Sequence, residues 1–99
     1  MPPARQEMRA DGLFLLPGAI DSHVHFRDPG YPNKETWKSG SAAAACGGVT
    51  TVFEMPNTEP TTTDPEALAD KLARAKGRMH TDHAFYVGGT HENATFLGE

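Results

Sequence analysis

Ala19-Ile20-Asp21-Ser22-His23-Val24-His25-Phe26, entered through Pro17-Gly18 and left through Arg27-Asp28-Pro29-Gly30, reads as a short buried strand between turns. Ile20, Val24 and Phe26 supply an apolar face. Side chains alternate along a strand, so Asp21, His23, His25 and Arg27 are expected to point the other way. With about 3.3 Å of rise per residue, the Cα atoms of His23 and His25 would lie roughly 6.6 Å apart, near enough for both rings to reach one metal ion. Arg27, one step further along, would stand beside that ion as a fixed cation for a carboxylate-bearing substrate. A His-x-His pair is weak evidence alone in a chain with five histidines. The flanking turns and the apolar opposite face give it weight.

Outward from this strand, the chain alternates. Glu35 to Ala45 is alanine-rich and predicts a helix, with Thr36 as its cap and Cys46-Gly47-Gly48 as its stop. Gly40 within that helix costs on the order of 1 kcal/mol, which points to close packing against a neighbour. Val49 to Glu54 is β-branched and aromatic, a second strand. The loop from Met55 through Thr63 is rich in turn formers. Asp64-Pro65-Glu66 opens a second helix with a capping carboxylate, a proline and a first-turn acid. Leu68, Leu72, Ala75 and Met79 recur on one face, and Lys71, Arg74, Lys76 and Arg78 fall in the later turns, where cations suit the helix dipole. Gly77 marks the end. His83 to Val87 predicts a third strand, and His91 to Leu97 the beginning of another helix. Met1 to Ala10 shows no periodicity, and Leu13 to Leu16 reads as a short strand outside this unit.

The expected fold class is therefore α/β: right-handed βαβ units on a parallel sheet. Its candidate polar residues lie at or just beyond the C-terminal ends of the first two strands, where parallel α/β folds build their sites.

Composition narrows the function. The chain has 99 residues, 37% hydrophobic and 22% charged, the balance of a soluble domain. A net charge of −4 leaves no basic face for phosphates, so nucleic acid is not expected as a partner. Leu13 to Leu16 is too short for a signal peptide or a membrane span, so no membrane partner is expected either. A single cysteine, Cys46, permits no internal disulfide and suits a cytoplasmic location. Asn93-Ala94-Thr95 matches a glycosylation sequon, and without a secretory signal it reads as a chance match.

Three parallel strands leave two open edges and one uncovered sheet face, and parallel sheets are normally covered on both. A catalytic zinc takes three protein ligands, and only His23 and His25 are convincing. His80, Asp82, His83, His91 and Cys46 lack the spacing for a third and read as surface or helix-side residues. A (β/α)₈ barrel needs around 250 residues. The expectation is a βαβαβ portion of an incomplete barrel: residues 1–18 a tail and remnant of a flanking β-domain, residues 19–99 the first three βα units.

Pro17 to Gly30, with Gly40-Ser41, Gly47-Gly48-Val49-Thr50-Thr51 and Met55-Pro56-Asn57-Thr58, resembles dihydroorotase of the amidohydrolase superfamily, from about Gly12 to Thr90. His-x-His-x-Arg together with Met-Pro-Asn-Thr carries the likeness. It implies a metal-dependent-hydrolase (β/α)₈ TIM barrel with a small flanking β-domain, and reversible hydrolysis of dihydroorotate to N-carbamoyl-L-aspartate in pyrimidine biosynthesis. His23 and His25 would bind zinc, in a centre of one or two ions. Arg27 and Asn57 would hold the substrate carboxylate. The remaining ligands and the aspartate that serves as general acid/base would come from later strands, so no catalytic residue is assigned within this chain. The resemblance also implies a homo-oligomer, with aspartate transcarbamoylase as a candidate partner. Two alternatives stand beside it: an allantoinase or hydantoinase-type amidohydrolase, for which Arg27 would have no carboxylate to hold, and an inactive dihydroorotase-like scaffold.

Other residues carry simpler expectations. Asp21 has two open readings, a carboxylate orienting a ligand histidine or a buried one bonded to backbone. Trp37 is a packing residue, Glu54 a buried hydrogen-bonding group, Cys46 a small buried residue. Tyr31 and Lys34 belong to a solvated loop.

Overall fold

A computed structural model describes residues 3–95 and 97. It contains β1 (Ala19–Val24), α1 (Trp37–Cys46), β2 (Val49–Glu54), α2 (Pro65–Ala75) and β3 (Asp82–Phe85). The strands form one parallel sheet in the order β1-β2-β3. The alternation expected from the sequence is thus the alternation observed.

Local chemistry explains each helix. Thr36 caps α1: its side chain accepts from the Ser39 amide at 3.2 Å, while Ser39 Oγ accepts from the Thr36 amide at 3.2 Å, a reciprocal box that satisfies two orphan donors. Gly47 and Gly48 end it, Gly48 with φ 85. Asp64 caps α2 by accepting from the Ala67 amide at 2.7 Å, and Pro65 fills the first helical position.

Phe26, Trp37, Val52 and Ala75 make the core, with Val24, Ala44, Val49, Met79 and Phe85 packed against it. Gly40 is where α1 meets that core: a Cβ there would sit 2.5 Å from Phe26 Cδ1. The close packing inferred from a glycine in mid-helix is real.

Several expectations need correcting. The first strand stops at Val24, short of Phe26, and β3 ends at Phe85, short of Val87. Leu13 to Leu16 joins no strand among the described residues; the segment is irregular, and Phe14 and Leu15 are 94% and 93% exposed. Residues 91–95 form turns instead of opening a helix, and Phe96 lies outside the described residues. Cys46 is exposed, because it occupies the last turn of α1 away from the sheet. The buried face of α2 is Lys71 and Ala75, while Leu72 is exposed. Asn93 is buried, and its amide donates to the Thr63 and Gly88 carbonyls at 2.6 and 2.7 Å, a structural use that accounts for the residue without a glycan.

Candidate functional site

The site stands at the C-terminal end of β1 and the loop after β2. Pairing between β1 and β2 slips between Asp21 and Val24: Asp21 faces Val52 and Val24 faces Glu54, so β1 spends an extra residue there. Such a bulge frees a backbone amide and re-aims side chains. The amide of His23 within it is satisfied by Asp21 Oδ1 at 3.0 Å. The Asp21 side chain accepts from backbone, as one of its two readings expected, but the residue is exposed where that reading had it buried.

The two imidazoles converge. His23 Nε2 and His25 Nε2 are 3.2 Å apart, with ring centroids 5.1 Å apart and planes tilted by 60°. His23 is exposed and His25 half-buried, so the pair opens to solvent. His25 Nδ1 meets Asn57 Oδ1 at 2.9 Å. Asn57 lies after β2, so this bond joins the two strand-end loops. Backbone bonds reinforce the junction: the Met55 amide donates to Val24 O at 3.0 Å, and the Glu59 amide to Pro29 O at 3.1 Å.

Arg27 arrives by a different route from the one alternation predicts. It lies beyond the strand, in left-handed backbone at φ 63. Non-glycine residues adopt that region at a cost and concentrate there at functional sites. Arg27 is half-buried, and among the described residues it takes part in no ion pair.

The donor set fits a zinc ion. Two nitrogens of a tetrahedral zinc site, each at about 2.0 Å from the metal, are separated by roughly 3.3 Å. The observed 3.2 Å between the Nε2 atoms matches that spacing. The distal nitrogen of His25 is engaged by a carbonyl oxygen, the usual support for a ligating imidazole. Among the described residues no third His, Cys, Asp or Glu gathers with the pair.

Beneath the site lies a charged cluster that hydrophobic periodicity missed. Lys71 Nζ pairs with Glu54 Oε2 at 3.3 Å, and both side chains are almost fully buried. The same ammonium donates to Met55 O at 3.3 Å and Thr58 Oγ1 at 3.4 Å, and it sits 5.0 Å from the centre of the Phe85 ring. Trp37 Nε1 donates to Glu54 Oε2 at 2.9 Å, so Trp37 does more than pack. Burial pushes the Glu54 carboxyl above its usual range, against the pull of the Trp37 indole and Lys71, and burial pushes the Lys71 amine below its own. Arg78 Nη2 meets Asp28 Oδ2 at 2.6 Å and its guanidinium carbon lies 5.0 Å from the Trp37 ring centre, fastening the loop after β1. A signal for Lys71 was present: it lies one helical turn before Ala75, on the phase that meets Glu54.

Comparison with known proteins places the chain in a family. The sequence pattern of the amidohydrolase family matches residues 14–93. The chain is 51% identical over 86 residues to an allantoinase of Rubrobacter xylanophilus, covering 86% of this chain and 19% of that protein. It is also 51% identical over 78 residues to a dihydroorotase of Halobacterium salinarum, covering 79% of this chain and 18% of that one. The chain thus spans about a fifth of the length of these relatives. Among solved structures, the L-hydantoinase (dihydropyrimidinase) of Arthrobacter aurescens superposes with a TM-score of 0.74 at 41% identity, over 78% of this chain and 17% of that one. The parallel three-stranded unit is consistent with a partial TIM barrel, and no helix among the described residues is long and apolar enough to cross a membrane. On the match across residues 14–93, the chain belongs to the amidohydrolase family.

Proposed function

We propose that this chain carries the first part of the active site of a zinc-dependent cyclic-amide hydrolase, with dihydroorotate as substrate and N-carbamoyl-L-aspartate as product. The observation that carries the reading is the convergence of His23 and His25 on one point, Nε2 to Nε2 at 3.2 Å. The two histidines would hold zinc. When bound there, the ion supplies Lewis-acid polarisation of the ring carbonyl and activation of water. In the hydrolysis, the ring C–N bond breaks as oxygen from water joins the carbonyl carbon.

Arg27 supports the choice of a carboxylate-bearing substrate. A guanidinium grips a carboxylate through two parallel hydrogen bonds and so fixes the ring relative to the histidines. Asn57 has its carbonyl committed to His25, which leaves its amide nitrogen as a neutral donor to the same carboxylate. The remaining ligands and the group that moves protons are assigned to strands beyond the three in this chain. By the same reading residues 1–18 are a tail and remnant of a flanking β-domain and residues 19–99 the first three βα units of the barrel, and the protein works as a cytoplasmic homo-oligomer with aspartate transcarbamoylase as a candidate partner.

Equal identity to an allantoinase and a dihydroorotase keeps a second substrate class in view. The test is turnover of dihydroorotate, allantoin and hydantoin by the zinc-loaded full-length protein, which carries those further strands. Turnover of dihydroorotate alone is expected; turnover of either uncharged ring with none of dihydroorotate would refute the assignment.

A further inference from the structure

The bond between Asn57 and His25 fixes more than a position. Asn57 Oδ1 lies 2.9 Å from His25 Nδ1. A carbonyl oxygen can only accept, so Nδ1 carries the hydrogen and donates it. In a neutral imidazole that leaves Nε2 with a free lone pair. Nε2 is the atom that faces His23 Nε2 at 3.2 Å. One contact therefore selects the tautomer that presents its lone pair to the site, and it fixes the ring plane as well.

Asn57 is exposed and would wander if its loop did, but the loop is held from below. The Lys71 ammonium has three hydrogens and three acceptors: Glu54 Oε2 at 3.3 Å, Met55 O at 3.3 Å and Thr58 Oγ1 at 3.4 Å. Two of these lie on either side of Asn57 in the chain. Thr58 is itself buried and passes its hydroxyl hydrogen to Pro60 O at 2.9 Å. A buried cation thus brackets the residue that touches His25.

We propose that Asn57 is a positioning residue for His25, setting its Nδ1–H tautomer and ring orientation, and that Lys71 holds Asn57 in place from the interior. This deepens the reading of His23 and His25 as a zinc pair, and it adds a role to Asn57 distinct from contact with substrate.

The first measurement needs neither metal nor substrate. Nitrogen-15 NMR of the metal-free full chain, at a pH where the imidazoles are neutral, reports which ring nitrogen of His25 is protonated. The Nδ1–H form is expected in the wild type and in Asn57→Asp, which keeps an acceptor. Asn57→Ala is expected to shift His25 toward the Nε2–H form, and because Asn57 is exposed the fold should survive. Zinc affinity of the full chain should fall about 10- to 100-fold in Asn57→Ala and recover in Asn57→Asp. An unchanged His25 tautomer in Asn57→Ala overturns the proposal. A shifted tautomer in a chain that binds no zinc upholds the positioning role and refutes the zinc reading, so the two failures are distinguishable. The bracket is tested in Glu54→Gln/Lys71→Met, which removes the ammonium without stranding a charge: a mixed tautomer is expected, and a wild-type one removes Lys71 from the proposal.

Discussion

Lys71 and Glu54 meet at 3.3 Å in the interior, their side chains 2% and 1% exposed, and Glu54 Oε1 has no hydrogen-bond partner among the described residues. Such a pair is costly to half-remove, because the survivor is an uncompensated buried charge. Lys71→Met or Glu54→Gln alone should lower the unfolding free energy by about 3–5 kcal/mol. The double variant Glu54→Gln/Lys71→Met should recover most of that loss. Urea unfolding of the four chains measures the cycle; additive single losses would contradict a coupled pair.

The same burial sets the pH dependence. Glu54 binds its proton more tightly folded than unfolded, so its contribution to stability declines as pH rises above 4.5. Lys71 is the reverse: the unfolded chain holds that proton longer, so its contribution grows as pH climbs toward 10.5. Stability should therefore rise on the alkaline side, and Lys71→Met should lose that rise while retaining the acid-side decline. Thermal melts at a series of pH values check the sign.

Gly40 and Phe26 set a third expectation. Replacing glycine by alanine in a helix interior ordinarily stabilises by about 1 kcal/mol. Here the added Cβ would lie 2.5–2.9 Å from three atoms of a buried ring, and overpacking costs about 1–3 kcal/mol. The clash is expected to win: Gly40→Ala should lower the midpoint of urea unfolding, and a higher midpoint would show that Phe26 moves aside freely.

Much of this was legible in the chain itself. Thr36, Asp64-Pro65 and the paired glycines at 47 and 48 each encode a helix end through local hydrogen bonding or backbone freedom, and such signals need no tertiary partner. The β-branched run at 49–52 placed β2 for the same reason. What tertiary context decides was not legible. Hydrophobic periodicity assumes that lysine faces outward, so it turned Leu72 inward; adjacent helix positions differ by about 100°, and the phase was set by the bond between Lys71 and Glu54. Alternation likewise carried Arg27 onto the face of the histidines as one more extended step, whereas a bulge precedes it and Arg27 itself is left-handed. His23 and His25 still converge, because the bulge re-aims His23 while Asn57 holds His25.

Arg27 yields the prediction for substrate choice. Arg27→Lys keeps the charge but loses the planar fork, so it should reduce kcat/KM for dihydroorotate about 10- to 100-fold, equivalent to about 1.5–3 kcal/mol. Turnover of an uncharged cyclic amide, if any, should change far less. Equal losses on both would mean that Arg27 supports the fold rather than the carboxylate.

The most direct test of the account is zinc titration of the full chain followed through the imidazole nitrogen-15 resonances. One equivalent should move the Nε2 signals of His23 and His25 together, and dialysis against chelator should reverse the change, since only these two ligands gather among the described residues. If only one of the two signals responds, or neither does, the two histidines do not share a metal ion and the hydrolase assignment loses its foundation.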